Sequence, residues 1–357
     1  HKLVMIDNYV KRSLFKKYGK TPLINYPKID KRLKLLKKYN KNIKFYNLDC
    51  TDSQKFSDLF KKHKPDVVIH FAELPSAPYS MYGPKEGWIT LNNNLKSTFN
   101  LIEAVKKYNK KCHIIKLGTM GEYGTPNINI EEGWLTVKHK DRQQKFLYPR
   151  QGSSLYHTSK IMDTDLLWFY VRTSGLRVTD LMQGPVYGIR IGKEFEKEEF
   201  YPTFAYDDMF GTVLNRFIVQ AIAKIPLTVY GSGNQIRGYL DIKDTLQCIN
   251  LAIKNPPNPG DLKIYNQFTE QFSVNQLAKK VKNALKKINI ETVIKKIKNP
   301  RIEKEKHYYN AMHNGMKKLG LKPTLLTDKS IIEIAEYVFK YKKQINKKII
   351  QPKSIWK

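Results

Sequence analysis

Acidic residues are scarce in this chain: Asp and Glu total 32 against 64 Lys and Arg, a formal net charge of +32. Cysteine is scarcer, with only Cys50, Cys112 and Cys248, far apart and without a C-x-x-C pair. That excludes a disulfide framework and a cysteine-built zinc site, and no metal site is expected. It also fits a reducing compartment. Apolar runs never approach the roughly 18 residues that a membrane-crossing helix needs. Long Gly/Ser linkers and internal repeats are absent, so tightly packed lobes are expected rather than beads on a string.

The excess of positive charge needs care. Lysine is spread along the chain, as in the runs Lys31 to Lys41 and Lys279 to Lys298, in company with Asn and Ile. That pattern reads as a compositional bias carried on solvated faces. A nucleic-acid groove would interleave basic residues with aromatics or show a known module. Neither a nucleic acid nor a membrane is therefore expected as partner.

With 41% hydrophobic and 27% charged residues over 357 positions, the composition is globular and large enough for one big α/β unit or two lobes. Apolar strand patterns at Leu3 to Ile6, Ile43 to Leu48, Asp66 to Phe71, His113 to Leu117 and Arg177 to Leu181 alternate with helical patterns. The helices are expected over Ser53 to His63, Pro84 to Tyr108 and Ser154 to Ser174. This alternation predicts an α/β, Rossmann-type doubly wound parallel sheet. Residues 1–184 are expected to form it. Residues 185–357 are expected to form mainly a smaller C-terminal substrate-binding lobe, with parts of 239–268 returning to the sheet. In that lobe, helices are expected around Asp208 to Ala223, Asp241 to Lys254, Ser273 to Ala284 and Asp328 to Lys343.

Ligands of such sheets sit beyond the carboxyl ends of the strands. Attention falls on Asp7, Asp49, Phe71 to Tyr79, Thr119 to Tyr123 and Gln183 to Tyr187. Tyr156-x-x-x-Lys160 places two side chains on one helical face, one turn apart. Thr119 ends the preceding strand, within reach of the same space. A lysine ammonium favours a nearby phenolate, so Tyr156 can serve as a base near neutral pH. Y-x-x-x-K alone is weak in a chain rich in both residues. Its place after a strand ending in Gly-Thr points to the short-chain dehydrogenases/reductases.

Several segments carry a closer resemblance. They are Ser76-Ala77-Pro78-Tyr79-Ser80-Met81, Lys116 to Asn127, Ser153 to Lys160, Gln183 to Gly188, Arg237 to Ile242, Asn266 to Phe272, Asn299-Pro300-Arg301 and His307 to Asn310. Over essentially its whole length, the chain resembles the UDP-sulfoquinovose synthases, extended short-chain dehydrogenases/reductases of the NAD-dependent epimerase/dehydratase family. The resemblance implies NAD as cofactor, UDP-glucose and sulfite as substrates, and a homodimer. It also implies a plastid stroma in a eukaryote, or the cytoplasm otherwise.

It implies roles as well: Thr119, Tyr156 and Lys160 for oxidation at C4 of the sugar, with Lys160 lowering the Tyr pKa. Glu122 and His157 are the candidates for proton transfer at C5 and C6. In the 4,6-dehydratases an Asp-Glu pair comes directly after the threonine; here Met120 and Gly121 stand there. By position, Asp7, Asn8, Lys11, Arg12, Asp49, Phe71, Asn94 and Val186, with Tyr156 and Lys160, are assigned to the cofactor. Gln183, Thr212, Asn215, Arg216, Gln235, Arg237, Arg301 and His307, with Thr119 and Tyr156, are assigned to the UDP-sugar.

Two departures stand out. The chain opens on what reads as the second strand of such a sheet, so the first strand and its glycine-rich turn are expected to be missing. Without that turn the pyrophosphate loses its backbone N–H cradle, and weak NAD binding is expected. Pro75 also stands where the family has an arginine suited to an anion. Another UDP-sugar epimerase or dehydratase, or a UDP-sugar-binding protein without catalysis, therefore stays open.

Overall fold

The computed structural model describes residues 1–24, 27–301 and 308–351. Its first part comprises β1 (Leu3–Asp7), α1 (Val10–Lys17), α2 (Ile29–Leu36), β2 (Ile43–Asn47), α3 (Ser53–His63), β3 (Val67–His70), α4 (Ala77–Ser80), α5 (Pro84–Tyr108), β4 (His113–Thr119), β5 (Trp134–His139), β6 (Arg142–Leu147), α6 (Leu155–Ser174) and β7 (Arg177–Gln183). The remainder comprises β8 (Val186–Tyr187), α7 (Val213–Ile222), β9 (Leu227–Tyr230), β10 (Ile236–Asp241), α8 (Ile242–Lys254), β11 (Asp261–Gln267), β12 (Glu270–Ser273), α9 (Val274–Lys286), β13 (Ile294–Ile297), α10 (Gly315–Lys318) and α11 (Asp328–Lys340).

Sequence chemistry sets the boundaries. Asp52 caps α3 by accepting from Lys55 N, and Lys64 ends it in the left-handed region ahead of Pro65. Ser154 caps α6 by accepting from His157 N, and Gly175, at φ 68°, closes it. β4 and β7 are buried almost throughout, as strands covered on both faces must be.

Four strands form one all-parallel sheet in the order β3-β4-β7-β11, with Lys116 opposite Asp180 and Thr119 opposite Gln183. β11 thus joins the sheet from late in the chain. β1 and β2 form a separate parallel pair, which shares no strand pairing with the four-stranded sheet among the described residues. One apolar core packs α5 and α6 on the sheet through Leu101, Val105, Ile114, Leu167, Val171 and Val178. A second, built from Phe217, Val229, Leu277, Val281, Ile331 and Ala335, holds α7, β9, α9 and α11 together.

The structure corrects two sequence expectations. The helix expected from Asp208 begins only at Val213, because Asp207 accepts from Met209 N and Phe210 N in a tight turn and Thr212 then caps the helix. The hairpin β5–β6 was not anticipated: its residues are mostly exposed, so no apolar face marks it.

Candidate active site

A cavity of about 740 Å³ opens at the carboxyl ends of β3, β4 and β7. It is lined by Phe71, Glu73, Thr119, Tyr156 and His157, together with Asp207, Arg216, Gln235, Arg237 and Arg301 from the later part of the chain.

Tyr156 sits in the first turn of α6, where its backbone N–H donates to Ser80 Oγ at 3.0 Å. Thr119 ends β4, and its hydroxyl accepts from Gly121 N at 3.2 Å. Lys160, one turn after Tyr156, is fully buried and ion-paired with Glu73, with Asp163 at 3.7 Å. This corrects one expectation, that Lys160 lowers the tyrosine pKa. Burial first, then the Glu73 carboxylate, pushes the Tyr156 phenol well above its ordinary value. The ammonium that should favour phenolate is committed to carboxylates.

Glu122 is placed differently from its assigned role. It is fully buried and does not line the cavity. Its Oε1 accepts from Thr119 N and from Lys116 Nζ, both at 3.1 Å, closing a capping box around Thr119. Its Oε2 lies 3.3 Å from Arg150 and from Thr164 Oγ1. Lys116 also reaches Asp180 at 3.1 Å and Thr164 Oγ1 at 2.6 Å. Burial raises the Glu122 carboxyl and Lys116 offsets part of that rise.

His157 does face the cavity, with Nδ1 3.1 Å from Ser153 Oγ. Burial, and after it the Arg237 and Arg301 guanidiniums, lower its pKa to about 3, so the imidazole is neutral at physiological pH. Gly121 makes room for it, since a Cβ there would lie 2.3 Å from Nε2.

In the later part of the chain, Arg216 is 6% exposed, lies over the Tyr230 ring at 4.0 Å and donates to Thr228 O. Gln235 is 3% exposed, and its Oε1 has no hydrogen-bond partner among the described residues. Gln183 lines the cavity and donates to Thr245 Oγ1. Thr212 lines it too, but its hydroxyl caps α7, and Asn215 turns to Ala205 O outside the cavity. His307 lies outside the described residues.

The positions assigned to the cofactor divide into two groups. Phe71, Val186 and Tyr156 line the cavity, and Phe71 is half-exposed. Asp7, Asn8, Lys11, Arg12 and Asp49 gather at and after the carboxyl ends of β1 and β2 and do not line it. Asp7 accepts from Tyr9 N, Asn8 from Val10 N, and Arg12 lies 4.3 Å from the Tyr9 ring centre. Burial pushes the Asp49 carboxyl up, but hydrogen bonds from Thr51 and Asn8 outweigh it and hold it below its ordinary value. Lys11 is lowered by burial, partly offset by Asp207. Asn94 is an internal tie: it accepts from Leu74 N at 2.8 Å and donates to Ser159 Oγ at 2.9 Å. An exposed carboxylate ending β1, and an aromatic, valine and tyrosine wall beside Thr119, suit the ribose and nicotinamide ends of a dinucleotide.

Residues 8–266 match the NAD dependent epimerase/dehydratase family model. The chain belongs to that family. Within the family it is 44% identical to a chloroplastic UDP-sulfoquinovose synthase of Spinacia oleracea, over 99% of this chain and 73% of the relative. It is 37% identical to a UDP-sulfoquinovose synthase of Sulfolobus acidocaldarius, over 100% of this chain and 92% of the relative. Solved epimerases of the family share the fold. A UDP-glucose 4-epimerase of Thermotoga maritima superposes with a TM-score of 0.64 at 19% identity, covering 95% of this chain and 98% of that one. A UDP-glucuronic acid 4-epimerase of Bacillus cereus gives 0.65 at 18% identity, covering 95% and 99%.

Sequence reasoning missed Glu73, Lys116, Arg150, Asp163 and Asp180. Lys116 was visible as a charge inside an apolar strand, and Glu73 falls in the stretch after β3 already marked for ligands. Only the fold shows that they meet beneath the tyrosine.

Proposed function

We propose that this epimerase/dehydratase-family chain is an NAD-dependent UDP-sulfoquinovose synthase, converting UDP-glucose and sulfite to UDP-sulfoquinovose and water. The observation that carries the reading is the meeting of Thr119, Tyr156 and His157 in one cavity that Arg237 and Arg301 also line. NAD, when bound, supplies reversible hydride transfer at the sugar C4.

Once bound ligand draws Lys160 from its carboxylates and favours the phenolate, Tyr156 takes the proton of the 4-hydroxyl, and Thr119 holds that oxygen by a hydrogen bond. The resulting 4-ketone acidifies the C5 hydrogen. Neutral His157 accepts that proton and returns it to the departing 6-hydroxyl, which leaves as water. Bisulfite adds through sulfur at C6 of the alkene and gives up its proton, which neutral His157 passes to C5, and Tyr156 returns its proton to O4 as the ketone is reduced. Glu122 positions Thr119 through the capping box rather than moving protons. Asp7 and Asp49 take the adenosine end of the cofactor, and Phe71 and Val186 pack beside its nicotinamide. Arg216, Gln235, Arg237 and Arg301 hold the UDP group, the guanidiniums bonding to phosphate oxygens. Arg237 and Arg301, whose guanidiniums act on His157, also favour an anion near C6.

One observation favours a second reading. Pro75 lines the cavity and carries no charge for sulfite. On that reading the ketone is reduced without C–S bond formation, as in an epimerase. Mass spectrometry of the nucleotide-sugar products, with and without sulfite, separates the two. A sulfonated UDP-hexose formed only with sulfite supports the synthase; an isomeric UDP-hexose formed equally in both supports the epimerase.

Trp88 and Phe99 on α5 and Met162 and Phe169 on α6 are exposed apolar residues on two helices that pack together. They suit pairing with the same helices of a second copy. A plastid setting, as in the name of the spinach relative, is the matching compartment if the host is a eukaryote.

A further inference from the structure

We propose that Glu73 is a positioning residue of the tyrosine–lysine pair: its carboxylate, held in the cavity wall between Lys160 and His70, controls the charge that Lys160 presents to Tyr156. The proposal rests on the reading of Tyr156 as the group that exchanges a proton with O4.

The geometry is specific. Glu73 lies three residues beyond the end of β3 and lines the cavity beside Phe71 and Tyr156. Its side chain is 7% exposed. Oε2 takes the Lys160 ammonium, while Oε1 lies 3.6 Å from His70 Nε2. Oε1 is buried and has no hydrogen-bond partner among the described residues. His70 Nε2 is already 3.0 Å from Thr98 Oγ1, and burial lowers its pKa to about 4, so it adds no positive charge at neutral pH. Lys160 is therefore shared by two carboxylates, Glu73 from the loop after β3 and Asp163 from its own helix.

The neighbouring charges balance among themselves. From β4 comes Lys116, from the turn after β4 Glu122, from β7 Asp180, and from the loop between β6 and α6 Arg150. From α5 come only the neutral Asn94 and Thr98. Two carboxylates on one buried ammonium cannot both ionise cheaply. The strain falls on Asp163: burial first, then Glu73, raises its pKa to about 7. The same Glu73 charge is the second cause, after burial, that raises Tyr156, and the first charge that raises Lys160. Glu73 thus keeps Lys160 charged yet engaged, and keeps the tyrosine protonated. A ligand hydroxyl that accepts from Lys160 in place of Glu73 would release the ammonium toward Tyr156.

The test needs a readout that a merely structural glutamate would not move. Aspartate 13Cγ NMR of the full chain, with the Asp163 signal assigned by its loss in D163N, gives the Asp163 midpoint directly. In the unmodified protein a midpoint near 7 is expected; one in the ordinary carboxylate range overturns the proposal, whether or not any variant folds. In E73Q the midpoint is expected to fall by about one pH unit or more. An unmoved midpoint overturns the proposal. The acid limb of kcat/KM for UDP-glucose should move to lower pH in E73Q, whereas a uniform loss of rate with an unmoved limb contradicts it. Y156F separates the two readings: full turnover in Y156F sinks the assignment of Tyr156, while the Asp163 midpoint still reports on Glu73.

Discussion

Gly121 and His157 occupy one space: a Cβ on residue 121 would come within 2.3 Å of His157 Nε2. Any side chain added there would meet an imidazole. Gly121→Ala should therefore displace the imidazole and lower kcat about 10²-fold, the lower end of what a positioned acid–base group contributes. Overpacking should cost about 1–3 kcal/mol of stability. Steady-state rates with a thermal melt check both.

Tyr156→Phe removes the group that exchanges a proton with O4. Its kcat should fall about 10²- to 10⁴-fold. The UDP-sugar affinity, measured by calorimetry, should change little, because Arg216, Gln235, Arg237 and Arg301, which also line the cavity, hold the UDP group.

Lys116→Met leaves Glu122 and Asp180 buried without their shared cation. Breaking a buried pair from one side costs about 3–5 kcal/mol. A urea unfolding midpoint far below that of the unmodified chain is the expected result. Glu122→Gln, which keeps the shape and one accepting oxygen but turns the other into a donor facing Arg150 and Thr164, should be milder.

His113, 2% exposed, is lowered to about 4 by burial, with Arg177 and Lys263 adding to the effect. In the unfolded chain its pKa is the ordinary 6.5 or so. Between those values the unfolded state binds the extra proton, so this residue withdraws stability as pH falls from about 6.5 to 4, by about 1.4 kcal/mol per unit. His113→Asn should be less acid-sensitive than the unmodified chain over that window and show the same slope above pH 7. Denaturant titrations at several pH values test this.

Much of the sheet was legible because β4 and β7 are apolar runs between helices with clear caps, Ser154 and Gly175 for α6 among them. Tyr156, Lys160 and Thr119 stood out by their spacing and their places at the end of β4 and the start of α6, whereas His157 came only with the family resemblance. The chemistry around them was not. Glu122 looks in sequence like an acid beside a catalytic threonine, but its two oxygens are taken by Thr119 N, Lys116, Thr164 and Arg150. Lys160 looks like a free partner for Tyr156, but Glu73, 87 positions earlier, holds it. Such pairings depend on β3, β4 and α6 converging, and no local spacing encodes them. The β5–β6 hairpin escaped for the opposite reason: it is mostly exposed, and its apolar residues divide between both faces.

The most direct test tracks the hydrogen at C4. UDP-glucose deuterated at C4 is incubated with the protein, NAD and sulfite, and the products are resolved by mass spectrometry. The proposed mechanism predicts a sulfonated UDP-hexose that retains the deuterium at C4, because that hydrogen leaves and returns on the same face of the site. A product without sulfur, or a sulfonated product whose C4 deuterium has been lost to solvent, would contradict it.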